Sequence, residues 1–332
     1  MKKILAFFMI TFLLANTSIA KHYRYISIDS GGMLGLIPAS LLADIEQETG
    51  KPIHKLVDGM MGTSTGAIIA ALLSIPAQDP AAPYSAKAVV EFYKTKATPI
   101  FEAATQSIIS NKLAQFTRGK TDYSQARSIL KTAIDDVFGE LKLSESLNNL
   151  FILSHDKNVG NIHIFDTKTE KNLLVGDAVL ASASIADAFG PTAIQFASGE
   201  TRNFIDAASM GAKPHVCDPT AYLHQKINKD LEEGDTATIY SLGTGFAPTS
   251  QETKRLMAKS NQISIIRIQP EVDHLATMKF MGNLIAQNLL AADTSEETIE
   301  GMLEVAESLK TAKEYKRMLS DLKTVALGRN EL

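Results

Sequence analysis

The chain has 332 residues, a formal net charge of −4 and a hydrophobic fraction of 45%. This length suits one large domain or two modest ones, and the weak acidity argues against nucleic acid as a partner. Cys217 is the sole cysteine, so no intrachain disulfide can form and the core must hold without cross-links.

The first twenty residues have the composition of a secretory signal peptide. Lys2 and Lys3 precede an apolar stretch at 4–15, and Ser18-Ile19-Ala20 places small residues where a signal peptidase reads them. A membrane anchor is the alternative, but a bilayer span needs about 20 apolar residues and this run is shorter. We therefore predict cleavage after Ala20, export to the periplasm or out of the cell, and a mature domain over 21–332.

A strand and a glycine-rich loop open the predicted domain. The β-forming residues of Tyr23–Asp29 predict the strand. The paired glycines of the loop Ser30-Gly31-Gly32-Met33-Leu34-Gly35 can turn successive N–H groups into one concavity, which would bind a phosphate or an oxyanion. Apolar residues then recur at a spacing of four from Ile37 to Ile45, which predicts a helix that ends near Gly50.

A Gly-x-Ser-x-Gly sequence, Gly62-Thr63-Ser64-Thr65-Gly66, stands before the apolar run 67–73. Two glycines without a Cβ permit a sharp strand-to-helix turn, and the run predicts a buried helix behind it. On such a turn a serine hydroxyl is exposed to a base, and the first N–H groups of the helix point toward it. The five residues alone are a weak signal, because glycine and serine also cluster in ordinary turns.

Two strand–helix units in succession predict a three-layer α/β/α fold with a mostly parallel central sheet. In such a sheet the loops at the carboxyl ends of the strands meet, so the glycine loop and Ser64 are expected to face each other. Residues 95–121 are polar and loosely patterned, and we interpret them as a connecting insertion, with a lid or lipid-facing loop as the alternative. The remaining patterns predict helices over 85–98, 124–138 and the C-terminal segment 275–332, and strands over 149–154, 160–166, 203–205, 237–241 and 262–268.

The segments Ile26–Pro38 and Asp58–Gly66 together resemble the patatin family of lipid acyl hydrolases. That family pairs an Asp-Gly-Gly-Gly-x-Arg-Gly oxyanion loop with Gly-x-Ser-x-Gly and takes its base from a later Asp-Gly-Gly or Asp-Gly-Ala. The similarity continues in order over roughly 23–270. Its further blocks are Glu91-Phe92-Tyr93, Ala181-Ser182-Ala183-Ser184, Phe204-Ile205-Asp206-Ala207-Ala208 and Ser241-Leu242-Gly243-Thr244-Gly245.

The resemblance implies a hydrolase of the phospholipase A type that works with a Ser–Asp dyad and no cofactor or metal, and the predicted signal peptide adds that it is exported. Its substrate would be a phospholipid or another acyl lipid, reached by transient contact with a membrane surface. The implied site consists of the nucleophile Ser64, the base Asp206, the oxyanion donors Gly31, Gly32 and Thr65, and the elbow glycines Gly62 and Gly66.

Three residues depart from the family pattern, and they leave one alternative open. Ser30 and Ala207 stand where the family has glycine, and Leu34 stands where it has arginine. A serine forced to positive φ would be strained, and a lost guanidinium would weaken oxyanion or head-group binding. The alternative is a patatin-like protein that binds lipid or a partner with its cleft intact but has lost turnover.

A second alternative is an esterase with a Ser–Asp–His triad. Its histidine would follow Asp206, and the candidates are His215, His224 and His274. None of them lies in a recognisable Ser, Asp, His frame, so each is better interpreted as a surface or core residue.

Overall fold

A computed structural model of the chain describes residues 20–77, 83–209, 211–259, 262–270 and 292–328. The predicted signal peptide therefore lies outside the described residues up to position 19. His274 and residues 275–291 of the predicted C-terminal helical segment also lie outside them.

The described strands form one sheet in which hydrogen-bonded neighbours follow one another as β5-β6-β3-β2-β1-β7-β8, with β4 paired to the opposite edge of β3. The neighbouring strands β3, β2, β1, β7 and β8 are parallel, whereas β4, β5 and β6 pair in antiparallel fashion. The predicted mostly parallel α/β fold is therefore confirmed. The strands are β1 His22–Ile28, β2 Gly59–Thr63, β3 Asn149–Asp156, β4 Asn161–Asp166, β5 Thr192–Gln195, β6 Thr201–Ile205, β7 Thr236–Leu242 and β8 Ile263–Ile268.

Helices cover both faces of the sheet. Adjacent residues of one strand enter different cores: Ile26 packs with the larger cluster, and Tyr25 packs with a smaller one that includes Leu223. Because successive side chains of a strand point to opposite faces, the two clusters lie on the two sides of the sheet. The helices are α1 Leu36–Thr49, α2 Ile53–Leu56, α3 Thr65–Ser74, α4 Ala86–Thr95, α5 Ala97–Phe116, α6 Ser124–Phe138, α7 Val175–Ala183, α8 Ala186–Phe189, α9 Thr220–Asn228, α10 Gln251–Ala258, α11 Glu296–Leu309 and α12 Lys313–Gly328.

Several predicted elements have the expected bounds. Helix α1 ends at Thr49, where Gly50 takes the left-handed conformation (φ 63°) and donates its N–H to Glu46 O at 2.9 Å. Helix α6 begins at Ser124 and ends at Phe138 as predicted. Within the described part of the C-terminal segment, α11 and α12 are helical and both pack on α1.

The loosely patterned stretch 95–121, which we interpret from sequence as a connecting insertion, is mostly helical, because α5 spans Ala97–Phe116. Ile100 and Ala104 of this helix are buried, whereas Leu113 and Phe116 are exposed. The apolar residues of α5 therefore lie on two different faces of the helix, so the sequence shows no single apolar face with helical period.

Candidate active site

Ser64 lies on the predicted strand-to-helix turn, between the last residue of β2 and the first of α3. Its backbone has φ 55° and ψ −124°, a region that a residue with a Cβ enters only under strain of about 1–3 kcal/mol. A Cβ on Gly62 would lie 2.1 Å from the carbonyl oxygen of Gly66, and one on Gly66 would lie 2.2 Å from Ile28 O. The two glycines therefore allow β1, β2 and α3 to meet closely enough to form the turn.

The pairing of β2 and β6 with β3 places Asp206 next to Ser64. Thr63, the last residue of β2, pairs with Leu153, and Ile205, the last residue of β6, pairs with His155. His155 also pairs with β4 on its other edge, so β6 occupies the same edge of β3 as β2. The two strands run toward each other along that edge and end two positions apart, which brings Ser64 and Asp206 together.

The end of α7 holds both residues in place. The Ser182 hydroxyl accepts a hydrogen bond from Ser64 N at 2.9 Å and donates one to Leu153 O at 2.6 Å. The carbonyl of Ser184 accepts a hydrogen bond from Asp206 N at 2.8 Å. Because the Ser64 N–H is engaged by Ser182, it is not free to bind a substrate oxygen.

The Asp206 carboxylate is buried, with 2% of the residue exposed. Burial raises its pKa to about 6, while a hydrogen bond from the Ser64 side chain and one from Ala208 N, at 2.8 Å from Oδ1, act in the opposite direction. The burial effect exceeds the other two. The result is a carboxylate that is ionised at neutral pH but holds protons more tightly than an ordinary aspartate.

The glycine loop supplies free backbone donors beside Ser64. Gly31 and Gly32 have positive φ values, 156° and 57°, and a Cβ on Gly31 would lie 2.4 Å from Thr244 Oγ1. Within the described residues, no oxygen accepts a hydrogen bond from the N–H groups of Gly31, Gly32 or Thr65. Ser64 and the two loop glycines line the same cavity, so the N–H groups of Gly31 and Gly32 can serve an oxyanion there.

A buried ion pair anchors the base of this loop. Arg267 on β8 donates from Nη1 to Asp29 Oδ1 at 2.9 Å and to Ser241 Oγ at 2.6 Å. Asp218 approaches the same guanidinium at 3.8 Å. Burial raises the pKa of Asp29 and the guanidinium lowers it. Asp29 directly follows the last residue of β1, and its partner Arg267 fixes the start of the glycine loop.

The cavity above Ser64 has a volume of about 120 Å³. Ser30, Gly31, Gly32, Ser64 and Asp206 line one side, and α5 and the loops opposite supply mainly apolar side chains. These include Phe101, Ala104, Ile108, Ile109, Ile185 and Phe246. The arrangement places a hydroxyl, a carboxylate and free N–H groups against an apolar wall, which suits the ester group of a molecule with a hydrocarbon chain.

Neither a metal cluster nor a membrane span is found in the described part of the chain. No group of three or more His, Cys, Asp or Glu side chains there is arranged to hold a metal ion. None of its helices is both long and apolar enough to cross a bilayer.

Comparison with known proteins identifies the family. The sequence model described as patatin-like phospholipase matches residues 26–212, more than half of the chain. The chain belongs to the patatin-like phospholipase family. Patatin-like protein 1 of Oryza sativa subsp. indica is 26% identical, with 73% of this chain and 63% of the relative covered, and patatin-like protein 3 of Arabidopsis thaliana is 26% identical, with 86% and 79% covered. This patatin-like chain thus spans less than two thirds of the rice relative.

A solved structure shows a looser likeness to the patatin-like chain. The crystal structure of VipD from Legionella pneumophila has 12% sequence identity and a TM-score of 0.34, with 86% of this chain and 67% of that chain covered.

The three departures from the patatin pattern are accommodated without disturbing the backbone of the site. Ser30 is not at positive φ, since among the described non-glycine residues only Ser64 and Arg118 are. Leu34 is 1% exposed and packs in the larger core, so its side chain does not line the cavity. Ala207 is fully buried in the smaller core, and its carbonyl accepts a hydrogen bond from Val216 N at 2.8 Å.

The described histidines that follow Asp206 in this patatin-like chain do not line the cavity. The imidazole Nε2 of His215 lies 2.8 Å from Ala208 O, and the side chain is exposed. His224 lies on α9, which packs on α10 and on the strands β1 and β7.

Sequence reasoning missed the residues that position the patatin-like site. Ser182 and Ser184 were noted as part of a family block, but no role followed from that block. Arg267 and Asp29 are 238 positions apart, and the sequence carries no pattern that pairs them. An arginine between isoleucines on a predicted strand, as at Arg267, is the one weak signal in the sequence, because a charge that becomes buried requires a partner.

Proposed function

We propose that this protein is a lipid acyl hydrolase of the phospholipase A type, with Ser64 as nucleophile and Asp206 as general base. The observation that supports this most strongly is the meeting of β2 and β6 along one edge of β3. It puts the Ser64 hydroxyl beside the Asp206 carboxylate in a cavity with an apolar wall. Membership of the patatin-like phospholipase family supports the same reaction class.

In the first half of the reaction the Ser64 oxygen attacks the carbonyl carbon of the ester, and its proton passes to Asp206. The negative charge that develops on the carbonyl oxygen is stabilised by the N–H groups of Gly31, Gly32 and Thr65. When the tetrahedral intermediate collapses, the bond to the leaving alcohol breaks. Asp206 returns the proton to that alcohol, and the acyl group remains bound to the Ser64 oxygen.

In the second half a water molecule attacks the acyl carbon. Asp206 takes a proton from the water and gives it to the Ser64 oxygen as the acyl bond breaks, which releases a fatty acid and restores the site. No cofactor enters either half. The raised pKa of Asp206 brings its basicity nearer to neutral pH, where a general base is most effective.

The decisive experiment measures fatty-acid release from mixed phospholipid vesicles by the parent chain, Ser64→Ala and Asp206→Asn. We expect release by the parent and a loss of about a thousandfold or more in both variants. Asp187 also lines the cavity, so Asp187→Asn is the matched control. We expect this variant to lose less than about tenfold in activity, because the Asp187 carboxylate does not take the proton of Ser64.

Other outcomes point to the alternatives. Lipid that is bound but not cleaved by the parent would contradict the enzyme and leave the lipid- or partner-binding protein in its place. A triad esterase would lose its activity in one of the variants His215→Ala, His224→Ala or His274→Ala, whereas a dyad enzyme retains it in all three.

Export is part of the same proposal. The apolar stretch at 4–15 and the small residues before Lys21 support cleavage after Ala20 and a periplasmic or secreted location. N-terminal sequencing of the protein from the periplasmic and extracellular fractions tests this. A mature chain that begins at Lys21 agrees with export, and an intact Met1 in the cytoplasm contradicts it.

A further inference from the structure

Helix α5 exposes an apolar stripe beside the cavity. Ile109, Leu113 and Phe116 are 55%, 63% and 88% exposed. Their spacing of four and then three residues places them on one face of the helix. Single exposed apolar residues are ordinary, but three large ones on one face form a patch of the kind that binds a partner or a membrane.

The chain around this stripe is basic. Lys112, Arg118 and Lys120 are exposed, and the sequence has no acidic residue between Glu102 and Asp122. None of the three cations forms an ion pair with another described residue. The whole chain carries a charge of −4, so this cluster has the opposite sign to the rest of the molecule. Its charge is complementary to a surface that bears phosphate groups.

The stripe is continuous with the cavity that contains Ser64. Ile109 belongs to the exposed face and also lines that cavity, as does Lys112 one turn farther along the helix. An acyl chain that lies against the stripe would reach the cavity along apolar side chains. The ester group would then enter the cavity beside Lys112, whose ammonium group can bind the phosphate of the lipid head group.

We propose that the α5 stripe, Ile109 with Leu113 and Phe116, is the surface on which the protein docks onto an anionic phospholipid bilayer. Helix α5 lies in the plane of the interface with these side chains among the acyl chains, and Lys112, Arg118 and Lys120 contact the lipid phosphates. This assignment rests on the proposed lipid acyl hydrolase, because it gives that site its route to substrate.

The test uses the double variant Leu113→Gln/Phe116→Gln, since neither side chain lines the cavity. Binding to vesicles of phosphatidylcholine and phosphatidylglycerol is measured by sedimentation in a Ser64→Ala background, so that the vesicles stay intact. We expect the partition coefficient to fall by more than about tenfold. Leu327→Gln on α12 is the matched control. Leu327 is 71% exposed, but it lies on a different helix, which packs on α1 and β8. We expect this variant to bind vesicles as the parent does.

Charge is tested separately with Arg118→Gln/Lys120→Gln. We expect binding to the anionic vesicles to weaken by about fivefold for each charge removed, and the difference from the parent to shrink as salt is added. Binding to vesicles of phosphatidylcholine alone should not change. A charge variant that binds both kinds of vesicle as the parent does would overturn the electrostatic part of the assignment.

Hydrolysis of a water-soluble short-chain ester separates docking from catalysis. With Ser64 in place, Leu113→Gln/Phe116→Gln should hydrolyse this ester at the parent rate and lose activity only on vesicles. If the parent cleaves neither substrate but binds vesicles through the stripe, the proposed reaction fails and the docking surface stands. Unchanged vesicle binding by the double variant overturns the docking surface. If, in addition, the parent is a dimer and the double variant a monomer, the stripe is instead a contact with a second copy of the chain.

Discussion

The two sides of the candidate site are held by different means. The backbone turn at Ser64 is formed by the chain next to it, because Gly62 and Gly66 permit the close approach that goes with its φ of 55°. Asp206 is fixed by partners far away in sequence: β6 pairs with β3, and Asp206 N binds the carbonyl of Ser184. A short local motif can therefore specify the serine, whereas the position of the aspartate exists only once the sheet has formed.

The two sides also store unfavourable energy in different forms. At Ser64 it is backbone strain, and at Asp206 it is the burial of a carboxylate, which raises the pKa of that group to about 6. Both are conditions that the surrounding structure must maintain, as is common at functional sites. Substitutions that abolish activity should therefore lower stability on the serine side and raise it on the aspartate side.

The largest effect is expected on the serine side, from Gly66→Ala. The added methyl would lie 2.2 Å from Ile28 O and 2.8 Å from Asp29 O, and backbone atoms cannot move away as a side chain can. We expect a loss of about 3 kcal/mol or more in the free energy of unfolding, measured by urea denaturation, together with loss of hydrolysis. Gly328→Ala, where no atom of the described residues lies within 4 Å of the new methyl, should not be destabilised. A normally stable Gly66→Ala variant would show that the close approach is not required.

On the aspartate side the expected effect has the opposite sign, since Asp206→Asn should stabilise the protein while it abolishes hydrolysis. The carboxyl releases its proton near pH 4 when unfolded and near pH 6 when folded, so the protein loses stability as the pH rises between these values. Above pH 6 the penalty is complete and amounts to up to about 3 kcal/mol. Thermal melts should show the variant more stable than the parent above pH 7 and equally stable near pH 4. An equal difference at both pH values would contradict the assigned pKa.

Ser182→Ala probes the contact that joins the two sides. It removes the acceptor of the Ser64 N–H and the donor to Leu153 O, both of which are buried. We expect the free energy of unfolding to fall by about 1–3 kcal/mol and kcat to fall about tenfold or more with little change in KM, because the serine loses its orientation. Ser184→Ala is the matched control, since that hydroxyl contacts Leu180 and Thr192 and the carbonyl that holds Asp206 remains. A change in KM alone would argue against a positioning role for Ser182.

The serine side of this comparison could be predicted from sequence. The strand before the glycine loop, the helix that ends at Gly50 and the turn at Ser64 each depend on residues within a few positions of one another. The class of fold followed from two strand–helix units in succession. These features are local, so a single sequence contains them in full.

The aspartate side could be predicted only in part. The resemblance implied Asp206 as the base, after the predicted strand 203–205, but not that β6 is antiparallel to β3 and approaches Ser64 from the opposite direction. The partners Ser182 and Arg267 could not be predicted because they are 118 and 238 positions from Ser64 and Asp29. No separate helix was predicted over 95–121, because α5 divides its apolar residues between the cavity and solvent and so lacks a single apolar stripe.

The smallest effect is expected at Ser30, the one of the three departures from the patatin pattern whose residue lines the cavity. Its N–H donates to Cys217 O at 2.9 Å and its carbonyl accepts from Thr244, contacts that depend on the backbone and not on the side chain. The hydroxyl is buried beside the Cys217 thiol without an oxygen or nitrogen partner among the described residues. Ser30→Gly should therefore change the free energy of unfolding by less than about 1 kcal/mol and the rate of ester hydrolysis by less than about threefold. A gain of tenfold or more would show that the serine had reduced turnover, and it would move the interpretation toward a protein that retains its cleft for binding.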